Sequence, residues 1–139
     1  MKRNEPISHI MTKDPITVHH GQKVSEVRQL FIEHGIHHIP VVSGKRLLGI
    51  ISATDMMRLS LSAYGSDERT MDAMLDHQFT IEQVMSKHLT TLEAKGTIRE
   101  AAEKLREGRF HALPVVDEQG NLAGIVTTTD LIGYLLEQY

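Results

Sequence analysis

The sequence predicts an α+β fold made of two β-α-β-β-α repeats, and three observations carry that prediction. Displaced by 74 positions, the chain aligns with itself: Ile7 falls on Ile81, Val24 on Ile98, His37 on His111 and Pro40 on Pro114. The displacement becomes 75 only beyond a turn, where SGKRLL is one residue shorter than DEQGNLA, and Gly49 then meets Gly124. Both halves pass through helical and extended apolar spacing in the same order, the signature of a duplicated unit.

Each repeat opens with a short extended piece after a Met-hydroxyl pair, at residues 16–18 and 90–92. An amphipathic helix follows, with Val24, Val27, Leu30 and Phe31 in one copy and Ile98, Ala101, Ala102 and Leu105 in the other. Thr97 and Glu100 have the spacing of a capping box, and Gly35 and Gly108 are helix stops. Two strands then form a hairpin. Residues 39–42 and 47–51 flank Ser-Gly-Lys-Arg; residues 113–116 and 122–126 flank Gly-Asn. A second helix is expected just after Thr54 and Thr129. The repeats span residues 1–62 and 80–139, separated by a linker over 63–79 with a turn at Gly65-Ser66-Asp67 and a short helix in MDAMLDH. Neither copy is apolar enough to stand alone comfortably, so the two are expected to pack into one module.

Bulk properties exclude several functions. Fifteen basic residues against eighteen acidic ones, a formal net charge of −3, argue against a nucleic-acid binder, which carries a basic stripe. The absence of cysteine removes disulfides, thiolate chemistry and Cys-based zinc sites. MKRNEPISHIM lacks the apolar region of a signal peptide, and no apolar run reaches membrane-spanning length. A cytoplasmic protein with no membrane partner is expected.

IMTKDPITV, HHIPVV and GIISATD in the first copy, and VMSKHLTTL, HALPVV and GIVTTTD in the second, make the chain resemble a tandem cystathionine-β-synthase (CBS) domain pair, or Bateman module. The resemblance covers nearly all of residues 6–139. It implies pseudo-twofold packing of the repeats and two clefts between them that take adenosine-containing ligands such as AMP, ADP, ATP, S-adenosylmethionine or NAD(H). In that family a site commonly takes its early segment from one copy and its late segment from the other. Carried onto this sequence, one site has Thr12, Pro15, Ile16, Thr17, Ile36, His37 and His38, facing Ile125, Thr127, Thr129 and Asp130. The other has Ser86, Leu89, Thr90, Thr91, Phe110, His111 and Ala112, facing Ile50, Ser52, Thr54 and Asp55. Where the family often has Arg or Lys near phosphates, this chain has His37, His38 and His111. No cofactor is required beyond such a ligand.

The late motif has a physical rationale of its own. A strand that runs into a helix leaves backbone N–H groups and partial positive charge at the helix start, and Ser or Thr hydroxyls add donors for an anion. A nearby carboxylate accepts hydrogen bonds from a ribose diol, and Ile50 and Ile125 are candidates to cover a purine face. Ser52-x-x-Asp55 and Thr127-x-x-Asp130 also have capping-box spacing, so the same residues serve a helix end with no ligand. Adjacent His37 and His38 on a strand point to opposite faces and do not chelate one ion, so no metal site is expected. Met56, Met57, Met71, Met74 and Met85 read as core or interface fillers.

The final helix, LIGYLLEQY, and its counterpart DMMRLSLSAY are apolar over most of their circumference, which predicts a homodimer through the helices after Asp55 and Asp130. The leading reading is a regulatory ligand-sensing module, not an enzyme, that signals by conformational change to a partner protein in another chain. The alternatives are a structural interaction protein with empty clefts and an enzyme using Asp55 and Asp130 as an acid/base pair. Against catalysis, the sequence has no nucleophile motif, Gly-rich phosphate loop or metal-ligand cluster.

Overall fold

The structure, a computed structural model, describes residues 4–63 and 65–139. Among the described residues seven strands and six α-helices appear in the chain order β1 (Thr12–Lys13), β2 (Val18–His19), α1 (Val24–His34), β3 (His38–Ser43), β4 (Arg46–Ser52), α2 (Ala53–Ser60), α3 (Glu68–Gln78), α4 (Ile81–Val84), β5 (Leu92–Glu93), α5 (Ile98–Leu105), β6 (Ala112–Val116), β7 (Leu122–Thr127) and α6 (Thr128–Glu137). A single 3-10 turn at Ile7–His9 precedes β1, and another, Leu61–Ala63, follows α2. The mixed α+β composition is as the sequence predicts.

The chain divides into two compact units. The first contains the described residues through Pro15, with Lys45–Leu47 and Thr90–Tyr139; the second contains Ile16–Gly44 and Leu48–Leu89. Each unit therefore joins the leading segment of one repeat to the body of the other.

The sheet of the first unit has the order β1-β7-β6-β5. β5 runs parallel to β6, while β6–β7 and β7–β1 are antiparallel. Its core gathers Leu92, Ile98, Ala101, Leu105, Leu113, Val115, Val126 and Tyr134 around Ile7 from the leading segment. That segment is tied in by backbone hydrogen bonds from Ile7 N–H to Gly96 C=O (2.9 Å) and from Ile98 N–H to Glu5 C=O (2.9 Å). Lys45–Leu47 joins this unit through the hairpin turn, where Leu122 N–H donates to Lys45 C=O at 2.8 Å.

The second unit has the sheet order β2-β3-β4, with β2 parallel to β3. Its core contains Val18, Val24, Val27, Phe31, Ile39, Val41, Ile51, Met56 and Leu75, closed by Ile81 from the other repeat's leading segment. Ile7 and Ile81, equivalent in the two repeats, are both fully buried. Burial of a large aliphatic side chain stabilises by roughly 1.5–3 kcal/mol, which holds each leading segment on the body it has joined.

Four local expectations shift. The opening extended pieces form ladder strands only at β2 and β5, because pairing with β3 and β6 begins at Val18 and Leu92. The helices expected after Thr54 and Thr129 begin two residues earlier, at Ala53 and Thr128, because Ser52 and Thr127 are the N-caps. At Thr97 only half of the predicted capping box forms: its hydroxyl accepts from Glu100 N–H at 3.2 Å. The helix in MDAMLDH grows to the eleven residues of α3, capped by Asp67 and packed against α1 through Leu75.

Candidate functional site

In the first unit β7 runs directly into α6. Thr127 closes the helix start with a reciprocal pair: Asp130 N–H donates to its Oγ1 at 3.2 Å, and Thr127 N–H donates to Asp130 Oδ2 at 2.8 Å. His111 C=O accepts from Thr128 N–H at 3.0 Å and from the Thr128 hydroxyl at 3.3 Å. Thr129 is exposed, and among the described residues its amide and hydroxyl take no hydrogen bond. One amide, one hydroxyl and the remaining carboxylate oxygen of Asp130 are thus left at a helix start with partial positive charge.

The second unit repeats the arrangement with one change. Asp55 N–H donates to Ser52 Oγ at 3.0 Å and Ala53 N–H to His37 C=O at 2.8 Å, while exposed Thr54 is left as Thr129 is. The Asp55 carboxylate does not return to Ser52 and instead faces Arg58 Nη1 at 3.7 Å. The predicted capping box is complete at Thr127 and one-sided at Ser52.

The leading segments reach these helix starts by crossing the late strands. In the first unit Thr12 pairs with Ile125 and Lys13 with Gly124. In the second, Ile50 and Ser86 exchange both backbone hydrogen bonds, at 3.2 and 2.9 Å. The crossing depends on glycine. A Cβ on Gly124 would lie 2.7 Å from Thr12 O and 2.9 Å from Met11 Sδ. On Gly49 it would lie 2.8 Å from Ser86 O and 2.6 Å from Met85 Sδ. Gly49, Gly124, Met11 and Met85 are the positioning residues that sequence reasoning missed; a glycine opening the late motif in both copies was the available signal.

The candidate residues divide evenly between the units. The first holds Thr12, Pro15, Thr90, Thr91, Phe110, His111, Ala112, Ile125, Thr127, Thr129 and Asp130; the second holds Ile16, Thr17, Ile36, His37, His38, Ile50, Ser52, Thr54, Asp55, Ser86 and Leu89. Within the first unit Thr12 comes beside the Ile125–Asp130 segment, and Ala112 pairs with Thr127. Within the second, Ser86 comes beside the Ile50–Asp55 segment. Ala112 and Ile125 are buried; Ile50, half-buried, keeps an accessible side. His37 and His111 are exposed at the strand entrances, and His38 is half-buried on β3. Thr91 C=O accepts from Lys104 Nζ at 2.7 Å; Leu30 stands at the same position of the first copy, so the repeat pattern carries no signal for this cation. Among the described residues no group of three or more His, Asp or Glu is arranged to hold a metal ion.

Comparison with known proteins places this geometry. The CBS domain family profile matches residues 7–62 and again residues 81–137. The chain belongs to the CBS domain family. This CBS chain is similar to protein MJ1225 of Methanocaldococcus jannaschii, 30% identical over 132 residues that cover 94% of the chain and 47% of that protein. The crystal structure of MJ1225 superposes with a TM-score of 0.80 over 97% of the chain. It is also similar to the CBS domain pair of protein MJ0100 solved in complex with 5′-methylthioadenosine and S-adenosyl-L-methionine, at 26% identity, a TM-score of 0.78 and coverage of 98% and 99% of the two chains. L-aspartate semialdehyde sulfurtransferase of M. jannaschii is 28% identical over 90% of this chain, but the match takes in 22% of that enzyme. The chain spans about half, or less, of the length of the curated relatives it matches. Among the described residues no helix is long and apolar enough to cross a membrane.

Proposed function

We propose that this CBS chain is a cytoplasmic regulatory module, not an enzyme, that binds an adenosine-containing ligand at the helix starts following β4 and β7. The observation that carries the reading is the crossing of leading segments. It pairs Thr12 with Ile125, on the strand that leads into Thr127 and Asp130, in one unit, and Ser86 with Ile50, on the strand that leads into Ser52 and Asp55, in the other. The similar domain pair of MJ0100, in complex with two adenosine derivatives, supports the same ligand class.

Asp130 and Asp55 are the ribose acceptors in this reading, and Thr129 and Thr54 offer free amides and hydroxyls to phosphate or another anion. The remaining candidates are proposed ligand contacts within the unit that holds each: Pro15, Thr90, Thr91 and 110–112 in the first, and Ile16, Thr17, 36–38 and Leu89 in the second. AMP, ADP, ATP, S-adenosylmethionine and NAD(H) all present the required adenosyl group. A ligand that fits one arrangement of the chain better than another shifts the population toward it, and a partner protein reads the shift. Self-association uses the apolar residues left exposed on α6 (Ile132, Leu135, Leu136) and near α2 (Met57, Leu61).

Mass spectrometry of small molecules released from purified protein tests the ligand class. Calorimetry with the released compound on Asp55→Ala and Asp130→Ala then assigns the sites. Binding unchanged in both variants overturns the ribose role. Absence of any released adenosyl compound, with no thermal shift from AMP, ATP, S-adenosylmethionine or NADH, leaves a structural interaction protein with empty clefts. A ligand specific for the folded state at a hundredfold its Kd would stabilise by about 2.7 kcal/mol.

A further inference from the structure

The two helix starts differ in one cation, and the difference comes from a single position of the repeats. Arg58 lies one turn into α2, three residues after Asp55; Gly133 stands at the equivalent position of α6, three residues after Asp130. In the first unit Asp130 is engaged locally, with Thr127 N–H donating to its Oδ2 at 2.8 Å, and α6 contains no basic residue. In the second unit the Asp55 carboxylate makes no return bond to Ser52, and Arg58 Nη1 lies 3.7 Å from its Oδ1.

The other basic groups near the candidate segments do not oppose this difference. Lys13 and Lys87 follow Thr12 and Ser86 at equivalent positions, as His37 and His111 are equivalent, so neither pair separates the units. Two cations of the first unit lack a counterpart: Arg109, where the first copy has Gly35, and Lys104, where it has Leu30. Each is held away from Asp130, with Arg109 Nε 3.5 Å from Glu107 Oε2 and Lys104 Nζ on the Thr91 carbonyl. His38 stands in the second unit where the first has Ala112, a further basic group on the Arg58 side of the comparison. Arg58 alone is balanced by a carboxylate assigned to ribose.

We propose that the site at the α2 start selects adenosyl compounds that carry a phosphate, that the site at the α6 start selects those without one, and that Arg58 is the specificity-determining residue. The inference rests on the adenosyl reading above and names which members of that class each helix start takes. A ribose diol that donates to Asp55 displaces Arg58 from the carboxylate, and an anion must then balance the guanidinium. A phosphate on the same ligand supplies it, because the guanidinium fork matches phosphate oxygens with paired N–H donors. The Thr54 amide and hydroxyl add donors at the positive end of the helix. A ligand without phosphate frees Arg58 and returns no charge to it. At Asp130 no cation is displaced, so the diol binds without that demand, and a phosphate gains no cation from α6.

The test titrates the full chain separately with AMP and with adenosine, followed by NMR at the Thr54 amide for one site and the Thr129 amide for the other. The expected preference for AMP over adenosine is about fivefold greater at Thr54 than at Thr129, the scale of one charge-assisted contact near the surface. Arg58→Gln should abolish that excess at Thr54, and Arg58→Lys, which keeps the charge but loses the paired donors, should retain part of it. Gly133→Arg should create the preference at Thr129; a Cβ at Gly133 meets no atom within 4 Å, so the backbone there admits a side chain. Equal AMP-to-adenosine ratios at the two amides, or an unchanged ratio in Arg58→Gln, overturns the inference and leaves the adenosyl reading standing. Absence of saturable shifts with both compounds at both amides overturns the adenosyl reading, and this inference with it.

Discussion

In the first unit α5 begins at Thr97, whose own hydroxyl caps the helix. In the second unit the equivalent helix α1 begins at Lys23, which has no acceptor, and the cap comes from another element. Asp76 of α3 accepts from Ser25 N–H at 2.9 Å and from the Ser25 hydroxyl at 2.7 Å. One turn along, Arg28 Nη1 reaches Asp72 at 3.2 Å, and Leu75 on the same helix is buried in the core. The body of the first unit is completed by its own repeat apart from the leading segment and Lys45–Leu47. The second also contains α3, and among the described residues no helix of the first unit is placed in that way. The two bodies are similar, and the connecting helix packs on the second.

The largest expected effect breaks that asymmetry directly. Leu75→Ala removes a fully buried side chain and should cost about 2–5 kcal/mol in urea unfolding. Amide exchange should rise in α1 and α3 well before it rises in α5; uniform loosening of both units would show that α3 is not specific to the second. Next come the glycine crossings, where the two units agree. Gly49→Ala and Gly124→Ala each force a methyl group against a backbone carbonyl, at about 1–3 kcal/mol of overpacking by thermal unfolding. Similar losses are expected from both; a neutral result for either would show that its leading segment yields without strain.

A smaller effect compares the caps. Asp76→Ala should cost about 1–2 kcal/mol, somewhat more than Thr97→Ala, because it strands both an amide and a hydroxyl of Ser25. Equal losses would mean that Glu26, whose Oε1 lies 3.4 Å from Lys23 N–H, already closes the α1 start. The smallest effect is acid-dependent and belongs to α3. Hydrogen bonds from the Thr70 backbone, and then from its side chain, hold the Asp67 carboxyl below its ordinary value. A carboxyl lowered in the folded state contributes fully above its unfolded pKa and loses that contribution as pH falls through the folded value. Asp67→Asn should therefore flatten the acid limb of a stability–pH profile by lowering stability slightly at neutral pH while leaving the acid end nearly unchanged; an unaltered acid limb would remove this role.

Much of this molecule was legible beforehand, for identifiable reasons. The body strands and helices follow apolar periodicity, and the late-motif caps follow from a hydroxyl three residues before an acid. Gly35 closes α1 in the left-handed conformation that its position after the last apolar residue suggests. The completeness of each capping box was not legible, because Asp55 has Arg58 one turn away to draw its carboxylate, whereas Gly133 stands at the corresponding position beside Asp130. Nor was β1: two polar, exposed residues carry no strand signal, and they pair only because Gly124 admits their backbone.

The amino-acid sequence by itself determined the duplication, the order of elements within each repeat and the residues at the two helix starts, since these depend on local spacing and capping chemistry. Tertiary structure decided which body each leading segment joins and that α3 packs on the second unit. Those outcomes depend on backbone approach and side-chain volume between segments far apart in the chain, which no local pattern encodes.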